Sequence, residues 1–329
     1  MEKIQENFHL PAFVKADLIQ DLNDQDDVRI IYKVTTAARQ HLAVRILSNP
    51  YTSKEDLAGQ ASLCQVFAQS GLRVPTRFYG RDGLPYMSVS WADREAFATV
   101  EQWMPGKEAD CLDPDLIRQA GEWLGAMHRL SAENAIPFTS FSPWSMFGPT
   151  DDLAQDVCTL QKAVQASKAN QGLWQEIYAL YEEKRTSLEI LWPDLPAGAV
   201  QGDFSLNNLL VDDDGCLCSI IDFHLAGNDV FLCHFAGEAA FLAYEADRKD
   251  DDSEETGDLY FGAFAAGYFK NRQLHDLERN CLQDVLRIKR AFACHRVDDV
   301  LDKIKAGEIG QANKALEKIR FCLTKTFPV

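Results

Sequence analysis

Between Val200 and Asp229 the chain reads VQGDFSLNNLLVDDDGCLCSIIDFHLAGND, setting Asp203, Asn208 and Asp222 around two apolar runs. Those residue types suit metal-assisted phosphoryl transfer. One carboxylate orients and deprotonates an incoming hydroxyl, while hard oxygen ligands hold Mg²⁺ against a triphosphate. Asp203 fits the first task, and Asn208 with Asp222 the second. Residues 209–211 and 217–221 read as short strands, and Asp212-Asp213-Asp214-Gly215 between them is a strong turn signal. Such a hairpin would fold back and bring Asn208 and Asp222 to the same end.

Gln201-Gly202-Asp203 through Asn208, followed by Ile221-Asp222-Phe223, resembles the aminoglycoside phosphotransferase and choline kinase family. Ala226-Gly227-Asn228-Asp229 is most similar to its homoserine-kinase-type subgroup. The resemblance implies an α+β, two-lobed, protein-kinase-like fold. Residues 1–103 would form a small β-rich N-lobe binding nucleotide, and residues 104–329 a larger, mainly helical C-lobe carrying the metal and acceptor sites. It also implies ATP and Mg²⁺ as cofactors.

The elements that must position these residues follow from local pattern. Residues 18–22, 28–36 and 41–47 read as strands, 53–70 as a helix capped by Ser53 and stopped by Gly71, and 76–79 and 96–104 as further strands. Met104-Pro105-Gly106 marks the hinge. Beyond it, Leu116, Ile117, Ala120, Trp123, Leu124, Met127 and Leu130 form a stripe at helical spacing. Within that helix, His128 is expected to pack in the core. Further helices are expected over 171–191, 230–246, 259–270, 274–306 and 310–326. The run 247–258, DRKDDDSEETGD, is expected to be a solvated loop.

The resemblance assigns further roles. Arg45, on the third strand, is expected to hold the phosphates. Its acidic partner in relatives falls here on Gln60, which cannot neutralise a cation, and Glu55 is the alternative. Glu101, Gln102 and Trp103 are expected to line an adenine slot through backbone groups, with the Trp103 ring packing in the core. Asp229 and Glu238 suit an amine-bearing acceptor, although Asp229 equally suits a helix cap and Glu238 packing or solvation. The chain departs from the family in two further places. The loop Asn23-Asp24-Gln25-Asp26-Asp27 has three carboxylates and no glycine where relatives bring backbone amides to the phosphates. Near a triphosphate those charges would weaken ATP binding. Gln201 stands in place of a histidine that braces the metal-binding strand.

A net charge of −17 argues against nucleic acid and anionic membrane surfaces as partners. No leader-like segment opens the sequence, and its nine scattered cysteines read as buried free thiols of a reducing cytoplasm. The expectation is therefore a cytoplasmic, ATP- and Mg²⁺-dependent phosphotransferase. Its acceptor would be a hydroxyl of a small metabolite, an amino alcohol or hydroxy amino acid. A non-catalytic, nucleotide-binding pseudokinase is the rival, favoured by the missing glycines and by Gln60. A metal-dependent hydrolase fits the hinge and element order less well.

Overall fold

The computed structural model describes residues 1–24, 27–50, 52–91 and 94–328. A short helix α1 (Glu2–Asn7) precedes strands β1 (Phe13–Asn23), β2 (Val28–Thr36) and β3 (His41–Ser48), then helix α2 (Lys54–Gln69) and strands β4 (Met87–Trp91) and β5 (Arg94–Gln102). The strands form one antiparallel sheet in the order β1-β2-β3-β5-β4. Period-two alternation divides β3. Leu42 and Val44 pack with Ile4 and Phe8 of the α1 segment, while Leu47 packs with Leu57 of α2. Arg45 shares the face of Leu47 and points toward the interior of the molecule.

The Ser53 hydroxyl accepts the Asp56 N–H at 3.0 Å, capping α2, and Gly71 takes φ of +92° just after the helix ends. The strand expected over 76–79 does not form. β4 occupies the shared edge of β5 as far as Ala98, leaving that segment only the bonds Phe78 N–H to Val100 and Gln102 N–H to Thr76. The edge strand is instead 87–91, which sequence reasoning missed.

After β6 (Lys107–Glu108) the chain is mainly helical: α3 (Pro114–Glu133), α4 (Asp152–Ala166) and α5 (Gln171–Leu191) come first. Strands β7 (Ala197–Val200), β8 (Leu209–Val211), β9 (Leu217–Ile220) and β10 (Gly227–Val230) follow, then α6 (Phe231–Tyr244), α7 (Glu254–Tyr268), α8 (Asp276–Ala291), α9 (Cys294–Lys305) and α10 (Ile309–Thr324). The expected 274–306 helix is two helices, broken where Ala293 turns to φ −57°, ψ 136° with neither Gly nor Pro to announce it. Only the first part of 247–258 is a loop. Ser253 accepts the Thr256 N–H and starts α7, and Lys249 N–H bonds the Leu112 carbonyl.

The C-terminal core gathers α3, α6, α7 and α8 around Leu124, Phe235, Phe264 and Leu286. Helices α3 and α7 cross almost backbone to backbone. A Cβ at Gly121 would sit 2.1 Å from the Phe264 carbonyl oxygen, one at Gly125 2.4 Å from that of Tyr268, and one at Gly267 2.0 Å from that of Arg118. Of the nine cysteines, Cys158, Cys216 and Cys294 are exposed and Cys111 is half-buried, so the all-buried expectation holds only for the other five. Among the described residues, no helix is long and apolar enough to cross a membrane.

Candidate active site

The 208–222 hairpin forms as its spacing required. Leu209 pairs with Ile220, Gly215 takes φ of +80° in the turn, and Ile221 N–H donates to the Asn208 carbonyl at 3.0 Å. Asn208 and Asp222 therefore face the same cleft of about 320 Å³, together with Arg45, Glu101, Gln102 and Trp103. Asp203 lines a second cavity of about 230 Å³ with Glu238, Asp152, Asp156, Trp144, Phe241 and Lys289. The segment 203–208 thus contributes walls to both.

Side chains hold the Asp203 loop through four consecutive amides. Gly202 N–H donates to His234 Nε2 (3.3 Å), Asp203 N–H to Gln201 Oε1 (2.7 Å), Phe204 N–H to Glu238 Oε2 (3.2 Å) and Ser205 N–H to Asp203 Oδ1 (3.2 Å). Gln201 Nε2 also donates to the Asp222 carbonyl at 2.6 Å, tying the loop to the metal-side strand as a bracing histidine would. Gly202 takes φ of +90°, and a Cβ there would lie 2.2 Å from the Leu225 carbonyl oxygen, so only glycine fits. Burial, and then the charge of Glu238, push the Asp203 carboxyl above its usual range.

Asp222 takes φ of +59°, an uncommon left-handed conformation for a residue other than glycine. Its Oδ1 accepts from Arg45 Nη1 at 3.2 Å and from His224 Nδ1 at 2.8 Å. Burial alone would raise its pKa, but Arg45 and His224 overcome that and hold it well below the carboxylate range. Asn208 donates its amide to the Asp203 carbonyl at 3.1 Å and to Ser205 Oγ at 3.2 Å, which fixes its side chain. A carboxylate and an amide carbonyl are the oxygen donors Mg²⁺ accepts when phosphate and water complete its shell, so the pair fits the ion. No group of three or more His, Cys, Asp or Glu side chains arranged for a metal occurs among the described residues.

The partner of Arg45 corrects the sequence reading. Arg45 Nε donates to Glu101 Oε1 at 2.8 Å, so the neutralising acid comes from β5 and not from α2. Burial opposes the Arg45 charge, but Asp222 and Glu101 outweigh it and secure the guanidinium. Gln60 does not line the cleft. Its Oε1 accepts from Arg77 Nη2 at 2.7 Å, and its Nε2 donates to the His224 carbonyl at 3.1 Å. Arg77 Nε lies 3.8 Å from Glu101 Oε2, so Gln60 reaches the Arg45 cluster only through a second arginine. Strand pairing across 56 residues carries the Arg45–Glu101 contact, and no local pattern reveals it.

One expectation about the adenine slot changes, that for the Trp103 ring. Gln102 N–H bonds the Thr76 carbonyl and Trp103 N–H the His41 carbonyl, so both amides already have partners. Trp103 is not core. It lines the cleft, half-buried, with the Lys33 ammonium 4.4 Å above its ring. Asn23, Asp24 and Asp27 stand off the cleft, whose β1 wall is Ile19 and Gln20; Gln25 and Asp26 lie outside the described residues.

Asp229, expected at the acceptor, is 2% exposed and lines neither cavity. Its Oδ1 accepts from Ser145 Oγ at 2.7 Å and from Val230 N–H at 2.8 Å, so it anchors the loop that carries Trp144. Burial in β10 removes it from solvent and raises its pKa. Glu238 does line the cavity that holds Asp203. Lys289, which donates to the Trp144 carbonyl at 2.7 Å, and His295, raised to about 9 by the Cys294 and Glu245 side chains, place positive charge on the same wall.

A model described as "Phosphotransferase enzyme family" matches residues 25–278. A homoserine kinase of Gluconobacter oxydans (strain 621H) is 27% identical over 225 residues, which is 67% of this chain and 63% of that protein. The chain thus spans less than two thirds of that relative's length. Among solved structures, a microcompartment-associated aminopropanol kinase superposes with a TM-score of 0.66 at 17% identity, covering 98% of this chain and 94% of that one. An amicoumacin kinase in complex with AMP-PNP, Ca²⁺ and Ami gives 0.63 at 15% identity, with 96% and 92% covered. The arrangement of sheet and helices is therefore the fold of those two structures.

Proposed function

The chain belongs to the phosphotransferase enzyme family, and from that premise we propose that it transfers the γ-phosphoryl group of ATP to a hydroxyl of a small, amine-bearing metabolite. The observation that carries the proposal is the pair of cavities flanking one loop, with Arg45, Asn208 and Asp222 on one side and Asp203 on the other. A donor and an acceptor held there would meet at Asp203. In this reading residues 1–103 supply most of the nucleotide site and residues 104–329 the acceptor site.

Asp203 accepts the acceptor hydroxyl's proton as the oxygen attacks the γ-phosphorus, and its raised pKa brings its basicity closer to neutral pH. Arg45 directs positive charge at the phosphates. Asn208 and Asp222 would hold Mg²⁺, which supplies charge neutralisation to the triphosphate. Most of the catalytic gain is positioning, because phosphoryl transfer through a loose transition state asks for little covalent help.

The acceptor class follows from the second cavity. Asp152, Asp156 and Glu238 suit an ammonium group, and Trp144 and Phe241, 45% and 38% exposed, offer aromatic faces to it. The relatives named for homoserine and aminopropanol act on molecules of that kind. Lys289 provides a partner for a carboxylate, which distinguishes a hydroxy amino acid from a plain amino alcohol. A coupled assay with ATP or GTP, with and without Mg²⁺, against L-homoserine, 1-amino-2-propanol and choline tests the proposal. Mg²⁺-dependent transfer to at least one amine-bearing alcohol is expected. Nucleotide binding by thermal shift without transfer to any of them would support the pseudokinase instead.

A further inference from the structure

Behind the Asp203 loop lies a buried polar chain that the transfer chemistry does not use. His234 Nδ1 is 2.8 Å from His128 Nε2, His128 Nδ1 is 2.8 Å from the Tyr268 hydroxyl, and that hydroxyl accepts from Arg272 Nη1 at 3.0 Å. Arg272 in turn donates to Glu278 at 2.7 Å. His128, His234 and Tyr268 are each at most 4% exposed, so an unpaired hydrogen in this chain is costly.

The two ends of the chain ask for opposite proton placements. Gly202 N–H is a donor, so His234 Nε2 must be bare to accept it. A ring that does so carries its proton on Nδ1 and donates it to His128 Nε2, and His128 then carries its own proton on Nδ1, facing a Tyr268 oxygen already taken by Arg272, which leaves the Tyr268 hydroxyl hydrogen without a partner in the chain. The alternative tautomer is close at hand, because Glu238 Oε1 lies 3.4 Å from His234 Nε2. A proton on Nε2 would bond Glu238, turn the ring from acceptor to donor, and release the Gly202 amide next to Asp203. Burial, the neighbouring His234 and Arg272 all hold the His128 pKa well below its usual value, so His128 remains a neutral acceptor.

We propose that His234 is a positioning residue, which holds the Gly202–Asp203 peptide as a hydrogen-bond acceptor while His128 accepts its Nδ1 proton. The pair has two discrete states: Gly202 held, or Gly202 released with His234 turned to Glu238. His128 acts only through His234. Its catalytic consequence rests on the phosphotransfer reading, whereas its structural part does not.

The test compares wild type with His234→Leu, His234→Gln, His128→Leu, His128→Gln and the double His128→Leu/His234→Leu. Imidazole ¹⁵N spectra at pH 8 should show the proton on Nδ1 in both rings. Amide exchange at Gly202 should quicken at least about tenfold in either leucine variant. The glutamine variants, which keep a carbonyl acceptor, should recover most of the protection. Turnover with Mg-ATP and L-homoserine should fall about tenfold or more in His234→Leu, with the ATP Michaelis constant changed less than twofold. The double variant should be no worse than His234→Leu alone. An Nε2–H tautomer at His234, unchanged Gly202 exchange in the leucine variants, or multiplicative losses in the double variant would overturn the proposal. Should wild type transfer to no acceptor, the phosphotransfer reading falls, while the spectra and the exchange rates still decide the relay.

Discussion

Asp203 and Asp222 are carboxylates of one hairpin region pushed in opposite directions by what surrounds them. Asp203 is raised by burial and by Glu238, so ionising it costs stability that accrues as pH rises from the usual carboxylate range through its folded value. Asp203→Asn should therefore melt at or above the wild-type temperature at pH 7.5, while turnover falls about 10²-fold or more, the scale for a positioned base. A parallel loss of melting temperature would mark Asp203 as structural. Glu238→Gln removes the like charge and should move the acid limb of the turnover profile to lower pH, which a pH series measures directly. Asp222 is depressed, so the stability it contributes is complete above the usual carboxylate range and lost only as pH falls through its lower folded value. Between about pH 5 and 9 it should add no step to the profile. Asp222→Ala leaves the Arg45 cluster one carboxylate short. It should abolish transfer and lower unfolding free energy by roughly 3 kcal/mol, the scale for breaking a buried pair, as a urea titration would record. The placement of Asp203, Asn208 and Asp222 was legible because their spacing is local. The Glu101 side of the Arg45 cluster, Arg77 and His234 were not, since each contact joins segments far apart in the chain.

Elements were legible where periodicity or punctuation was strong. The 171–191 helix falls where its pattern placed it, and Ser53 with Gly71 brackets α2. The failures share a cause, which is dependence on neighbours that sequence does not display. The 76–79 segment lost its strand to competition for the β5 edge, and the α8–α9 break carries no Gly or Pro. Likewise, α4 begins at an Asp151 cap whose φ of +37° is held by bonds to Ala154 N–H, Phe147 N–H and Arg185. The close α3–α7 crossing allows a direct test. Gly125→Ala should push Tyr268 away from α3, at a cost of about 1–3 kcal/mol for overpacking, and it should also loosen the His128–Tyr268 bond. Equal melting midpoints for this variant and wild type would show that the helices separate freely. In the β1–β2 turn, Asp24 stands off the cleft, so Asp24→Asn should leave the Michaelis constant for Mg-ATP within about twofold even at low salt, where exposed charges act farthest. A marked fall in that constant would restore the sequence-based expectation that the turn reaches the phosphates.

At the scale of the whole molecule, the net charge of −17 sets opposite fields for the two substrates. An anionic nucleotide approaches against the field and a cationic acceptor with it. Raising ionic strength from about 20 to 300 mM shortens the reach of surface charge to a few ångströms. It should therefore lower the Michaelis constant for Mg-ATP and raise that for a cationic amino alcohol, while leaving that for a zwitterionic hydroxy amino acid nearly unchanged, and initial-rate kinetics would read each. The break between α8 and α9 acquires a wider meaning in this setting. Phe292, Ala293, Cys294 and His295, which form that break and the start of α9, all line the cavity that holds Asp203, although they lie some ninety residues further along the chain. In the proposed reading, the wall that selects the acceptor is thus written separately from the loop that performs the transfer. Descendants of such a protein can alter that short corner, exchange one alcohol for another, and inherit the phosphate-handling apparatus untouched.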